Sequence, residues 1–229
     1  ITGAAQQSIL NYCVFSNLSN PNNELWEVSG AVNFHESNVT ISNSQFKNNR
    51  CEDALNIIRS EFTLQNSQFY DTFSDSFDGD FVTGTIKNCQ FYNSGNDGVD
   101  VSGSQLILEN VLIQNPSDKG ISAGEASTMS GNNITVENGE IGIVSKDLSS
   151  ISFTDVTLNN TRLGFSAFQK KPEYGTASIT INRISQLNNE TNYLIERESS
   201  LIIDNIKMPT VSNKVIDQMY GNEYGKSSK

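Results

Sequence analysis

Apolar and polar positions alternate with a period of two through most of the chain, as in "VTIS", "FTLQ" and "LILE". That spacing sends successive side chains to opposite faces of an extended strand. The apolar positions favour Val, Ile and Phe, with Thr between them, which are residue types that suit strands. No ten-residue stretch carries a 3.6-residue period, so the pattern predicts an all-β chain in which helices are scarce.

The alternation is nested in a longer repeat: an apolar residue, Asn two positions later, a small residue at three and a large apolar residue at five. "TISNSQF" supplies Ile41, Asn43, Ser44 and Phe46; "TLQNSQF" supplies Leu64, Asn66, Ser67 and Phe69; "TIKNCQF" supplies Ile86, Asn88, Cys89 and Phe91. Further copies anchor at Leu108, Val136, Phe153 and Ile203, with weaker ones at Leu10 and Ile181. The commonest step is 22 residues, and the Val136 copy makes one unit 28 residues long and the next 17. Short strands repeating at this period predict one parallel β-solenoid over 1–229, a right-handed β-helix of about nine coils. A leucine-rich repeat has a similar period but would be dominated by Leu, with helical returns. Residues 209–229 are expected to cap the last coil and then fray at "YGKSSK".

The recurrent Asn falls where the chain must turn a corner, and Asn tolerates the left-handed conformation that a tight corner needs. Stacked coils then predict a ladder of amide hydrogen bonds. Phe15, Phe46, Phe69 and Phe91 form an inward column of core residues.

Between the anchors lies a second short strand, "AVNF", "ALNI", "SFDG", "GVDV" and "GISA", aligned on inward Val32, Leu55, Phe77, Val99 and Ile121. The outward column that follows reads Asn33, Asn56, Asp78, Asp100, Ser122. Two positions before the inward residue it reads Gly30, Asp53, Asp75, Asp97, Lys119, and three before, Glu52, Ser74, Asn96, Asp118. Later copies ("IGIVSK", "LGFSAF", "NYLIER") lose the acids.

Net charge sharpens the picture. The chain carries −11, and residues 50–125 hold 12 acids against four bases. That balance excludes nucleic-acid phosphate as a partner, because phosphate contacts need clustered Lys and Arg. It also disfavours an anionic membrane surface, and no apolar run reaches the ~20 residues of a membrane span. Many Asn, Ser, Thr and Gly with few Lys fit an extracellular or cell-surface protein. The opening "ITGAAQQSIL" reads as the interior of a domain in a processed or trimmed chain. Three cysteines show no zinc or disulfide spacing; Cys13 and Cys89, in one inward column but three coils apart, are too far to bridge and are expected as buried free thiols.

Carboxylates on neighbouring rungs, ~4.8 Å apart, repel by roughly 3 kcal/mol at an effective dielectric near 20. A bound cation, raised pKa values or a basic neighbour would relieve this. Ca²⁺ takes six to eight oxygen ligands, and Asp75, Asp78, Asp80, Asp97 and Asp100 are the candidate metal ligands, with carbonyls near Gly79 and Gly98 as additions. Asp53, Asp75, Asp97 and Asp118 are candidate ligand-binding residues. The other reading is a solvated acidic turn that keeps the solenoid soluble. Lys119 reads either as a stacked ion-pair partner or as a base, and Arg59 carries the same two readings. His35 opens no triad or metal pair. Trp26 is a cap for the first coil or a sugar platform.

The stretch "TIKNCQFYNSGNDGVDVSGSQLILENVLIQNPSDKGISAGE" (85–125) resembles the right-handed β-helix repeats of the pectate-lyase-like superfamily, closest to bacterial surface β-helix domains. That superfamily includes polysaccharide lyases, glycoside hydrolases, tailspikes and adhesins, so the resemblance implies the fold and leaves function to the site. It implies a polysaccharide or cell-surface glycan as partner. By residue type, Asp75, Asp97 and Asp100 would hold Ca²⁺ and Lys119 or Arg59 would act as base in β-elimination on a uronate. The characteristic pectate-lyase and polygalacturonase signatures are absent. Two functions follow: a carbohydrate-binding or scaffold domain with an acidic face on coils 3–5, or a Ca²⁺-assisted polysaccharide lyase.

Overall fold

The computed structural model describes residues 1–20, 28–211 and 214–225. Trp26 and the last four residues, 226–229, lie outside that set. The chain winds into a parallel β-solenoid of about eight turns, in which nearly every strand pairs in parallel with the strand one coil later. Nine passes of one wall bound eight steps, which is why the count is one below the nine coils expected.

Three walls make up each turn. A long wall runs through the strands Ser8–Asn11, Val39–Ser42 and Glu61–Gln65, and continues in the first halves of Thr83–Ser94, Gln105–Gln114 and Thr128–Glu137. A second wall carries the phenylalanine column. Phe15, Phe46, Phe69 and Phe91 stack face to face, with ring centroids 4.9, 4.5 and 4.8 Å apart. The third wall is built from Gly30–His35, Asp53–Ile58, Asp75–Asp80, Val99–Ser102, Lys119–Gly124 and Ile141–Lys146. The apolar side chains of all three walls meet in one continuous core.

The corners explain the polar half of the repeat. Asn43, Asn66, Asn88 and Asn110 all hold positive φ, between 49° and 53°. Asn88 Nδ2 donates to Asn66 Oδ1 at 3.0 Å, and Asn110 Nδ2 donates to Asn88 Oδ1 at 2.9 Å. A second ladder occupies the next corner, with Asn93 donating to Asp71, Asn115 to Asn93 and Asn160 to Asn138. At the third corner, buried serines stack: the amide of Ser104 donates to Ser127 Oγ, and that of Ser127 to Ser149 Oγ.

The second ladder corrects one register. Val136 pairs with Ile113, not with Leu108, and the true counterpart of Leu108 is Gly131. Asn138 therefore belongs to the second ladder, and Asn133 is the first-corner residue, donating to Asn110 at 2.9 Å. Re-anchored at Gly131, the 28- and 17-residue units become 23 and 22. Gly131 hides the repeat because it replaces the expected apolar residue; a Cβ there would lie 1.9 Å from the Leu108 carbonyl oxygen.

The C-terminal segment packs against the third wall. The helix Val215–Met219 lies on the outside of the third wall, where Val215, Met219 and Tyr224 are buried with Ile141, Val144, Leu163, Phe168 and Leu194. This accounts for the apolar outward residues of the later coils: they form the seat of the helix. Cys51 and Cys89 are buried free thiols, whereas Cys13 is half-buried near the first rung.

Candidate functional site

The third wall brings the predicted acids together. Asn56 pairs with Asp78 and Asp78 with Asp100, so these outward residues stack on successive rungs. Asp53 pairs with Asp75, and the Asp97 amide donates to Asp75 Oδ1 at 2.8 Å, placing Asp97 next in that column. Lys119 follows, its amide donating to Asp97 Oδ1 at 3.0 Å. Asp80 opens a third outward column, pairing with Ile58 and Ser102.

The columns differ in how far their carboxylates are already used. Asp75 accepts from the Asp97 amide and from Asn96 Nδ2, and Asp97 accepts from the Lys119 amide. These two carboxylates splice the backbone where strand pairing is interrupted. Asp78 takes one side-chain donor, Asn56 Nδ2 at 2.7 Å. Asp53 is 2% exposed and its Oδ2 has no hydrogen-bond partner; Oδ1 of Asp100 also lacks one, with Lys146 Nζ 3.6 Å away.

Burial dominates the electrostatics. It pushes Asp53 up to about 6, aided by Glu52, Asp80 and Asp100. It pushes Asp75 up to about 7 against the hydrogen bond from Asp97, and Asp78 up to about 9, with Asp53 and Asp80 adding to the shift. Asp80 is raised by burial and by Asp100. The repulsion between rungs is thus relieved in part by protons.

Lys119 supplies the basic neighbour, and it is buried rather than exposed. Its Nζ lies 3.4 Å from Asp97 Oδ1 and also contacts Asp118. Burial alone would lower its pKa; the two carboxylates outweigh burial and hold the side chain as an ammonium. Arg59 is exposed, its guanidinium carbon 5.4 Å from the centroid of the Phe81 ring.

Lys146 escaped the sequence reading, because "IGIVSK" registers only as loss of the acidic pattern. It lies one rung past Gly124, where a Cβ would meet Lys146 Cε at 2.8 Å. The missing side chain lets the lysine cross back to Ser122 Oγ, 2.7 Å away, toward Asp100. Lys171, on the segment following Phe168, pairs with Glu125, and Asp147 Oδ1 accepts the amides of Lys170 and Lys171 at 2.6 Å. No local spacing predicts these contacts, since they join residues 23 to 46 positions apart.

The candidate calcium ligands share one wall; among the described residues no three acidic, His or Cys side chains form a group that could hold a metal ion. The carbonyls near them are also engaged, Gly79 by Ser104 Oγ and Gly98 by the Phe77 amide. A separate groove of about 640 Å³ lies on the long wall, lined by Phe62, Thr63, Thr85, Gln105, Ile107 and Ser130 among others. It contains none of the aspartates.

Neither curated proteins nor solved structures yield a match to this chain. A family profile described as a right handed beta helix region matches residues 30–216. That match spans most of the sequence and coincides with the coils whose parallel register is described above, and the chain belongs to the right-handed β-helix family.

Proposed function

We propose that this chain is a glycan-binding β-helix domain of the cell surface or extracellular space, binding through the outward face of Asp78, Asp80 and Asp100. One observation supports the reading: Asp78, Asp80 and Asp100 stand half-buried on two neighbouring rungs of one wall, and Asp78 takes a single side-chain donor, Asn56 Nδ2. A ligand rich in hydroxyl or N–H donors can bond to such half-exposed carboxyl oxygens. Successive rungs offer such acceptors every ~4.8 Å, a row suited to an extended polymer of polyhydroxylated units.

Turnover receives less support. Lys119 is already an ammonium between two carboxylates and accepts no further proton. Arg59 carries a guanidinium, which stays charged throughout the accessible pH range. The reading is therefore binding without bond cleavage.

Glycan-array binding of the wild-type chain, D78N/D100N and the groove variant I107R tests the site. Binding by the wild type and I107R, with loss in D78N/D100N, supports the aspartate wall. Loss in I107R alone moves binding to the long-wall groove, and no bound glycan overturns the reading. Pectate and alginate, incubated with calcium and with chelator, should develop no unsaturated-uronate absorbance; its appearance would establish a lyase.

A further inference from the structure

We propose that the groove on the long wall is a second ligand site, one that takes a neutral, polyhydroxylated chain, an uncharged oligosaccharide laid across the rungs. This site is independent of the aspartate wall, none of whose acids line it. The groove encloses about 640 Å³, within the ~300–1,000 Å³ of small-ligand clefts. It follows two outward columns that keep register from coil to coil. One holds Thr63, Thr85, Ile107 and Ser130; the other holds Glu61, Thr83, Gln105 and Thr128. The second column continues to Ser150, so four rung steps of ~4.8 Å from Glu61 make it about 19 Å long.

The side chains of this groove are free to bond outward. Elsewhere, outward polar side chains pair from rung to rung: Gln45 donates to Gln68 and Gln68 to Gln90, as the corner asparagines do. In the groove, Thr83, Thr85, Gln105, Thr128 and Ser130 make no side-chain hydrogen bond among the described residues. Each hydroxyl both donates and accepts, and so does the glutamine amide. Among them stands Ile107, 47% exposed, with Thr85 on the rung before it and Ser130 on the rung after. A sugar ring presents the same mixture, with hydroxyls at its rim and C–H groups on its faces.

Charge and size separate this ligand from others. The chain carries −11, yet among the described residues Glu61 is the one charged side chain in the lining. With no Lys, Arg or His there, a uronate finds no counter-charge. A basic chain finds a single carboxylate, and it is exposed, where an ion pair contributes little. A folded protein, a second copy included, needs ~800 Å² per partner for a stable complex, more than a trough two strand residues wide supplies. A neutral polyol meets no charge it must offset, and its hydroxyls bond to donors and acceptors alike.

Calorimetric titration provides the test. The probes are tetramers of β-1,4-linked glucose, α-1,4-linked glucose and β-1,4-linked N-acetylglucosamine, with tetragalacturonate and an octapeptide of alternating glycine and serine. At least one neutral tetramer should bind the wild type and D78N/D100N equally, with an affinity that added salt leaves unchanged. I107R should weaken that binding about tenfold or more, and S130R gives the same reading if I107R fails to fold. No neutral tetramer bound to the wild type, or an affinity unchanged in both I107R and S130R, overturns the groove site and leaves the aspartate wall to its own test. Loss in D78N/D100N alone also overturns it and assigns the neutral glycan to the aspartate wall. Tetragalacturonate bound as tightly overturns the selection against charge. The octapeptide bound as tightly replaces the sugar with an extended polypeptide.

Discussion

The backbone amide of Asp97 donates to the carboxylate of Asp75 one rung earlier, at 2.8 Å, and the amide of Lys119 repeats the contact with Asp97 at 3.0 Å. Each of these aspartates replaces a ladder bond that the backbone does not make with itself. Asp97 also holds Lys119, and both residues are buried. Breaking a buried ion pair from one side costs about 3–5 kcal/mol, and at this chain length 1 kcal/mol moves the melting temperature by about 2–4 °C. D97A is expected to lower Tm by about 10 °C. D97N breaks the same ion pair but keeps an acceptor for the Lys119 amide, so it should lose less than D97A by about one hydrogen bond, ~1 kcal/mol. Equal losses in thermal melts would show that charge, and not the backbone splice, is what Asp97 contributes.

Asp53, Asp75 and Asp78 lead to a pH dependence of definite sign. Their folded-state values, about 6, 7 and 9, stand above the ordinary 3.8. The folded chain therefore holds protons that the unfolded chain releases. Their stabilising contribution is complete below about pH 4 and is lost as pH rises through about 6 to 9. Tm should fall between about pH 5 and pH 8, and D78N should flatten that slope while raising Tm at the upper end by about 2–4 °C. A slope that D78N leaves unchanged would place the titrating groups elsewhere.

Corner residues give a cleaner separation of two effects. Asn88 holds φ at 51° and bonds to Asn66 and Asn110. N88A loses both bonds and forces a Cβ residue without local hydrogen bonding into the left-handed region, at a cost of about 1–3 kcal/mol. N88G loses the bonds but relieves the conformation. Denaturant melts should therefore rank wild type above N88G above N88A. N88A matching N88G would mean that the ladder, not the backbone angle, carries the stability.

The repeat was legible because its demands are local. Apolar alternation, the Asn at the corner and the Phe stack all recur within a few residues of one another, and register follows from counting. The alignment of Asp75, Asp78, Asp97 and Asp100 on one wall follows from the same count. What escaped was non-local or substituted. Gly131 stands where an apolar anchor was expected, so the neighbouring pattern at Val136 captured the register although it belongs to the next wall. Lys146 reaches Asp100 across a glycine two residues and one coil away from it in register, a path that alternation does not encode. The apolar run in the later coils looked like a fading motif because the segment that covers it lies far along the chain.

That covering segment yields the last prediction. The helix Val215–Met219 has only five residues, too few to persist alone in water, so its existence depends on Val215 and Met219 reaching Ile141, Val144, Leu163, Phe168 and Leu194. Arg162 strengthens the seat by pairing with Glu140, donating to the Glu223 carbonyl at 3.0 Å and lying 5.3 Å from the Tyr224 ring. Val215 is fully buried, and a carboxylate at that position cannot be accommodated without a partner. V215D should undock the helix while the coils, whose core does not include it, stay folded. Limited proteolysis should then cut within 209–225, and a dye that reports exposed apolar surface should brighten on the uncovered seat. If V215D instead abolishes the far-ultraviolet β signal, the helix is a condition for the solenoid to form rather than a cover laid over its outer wall.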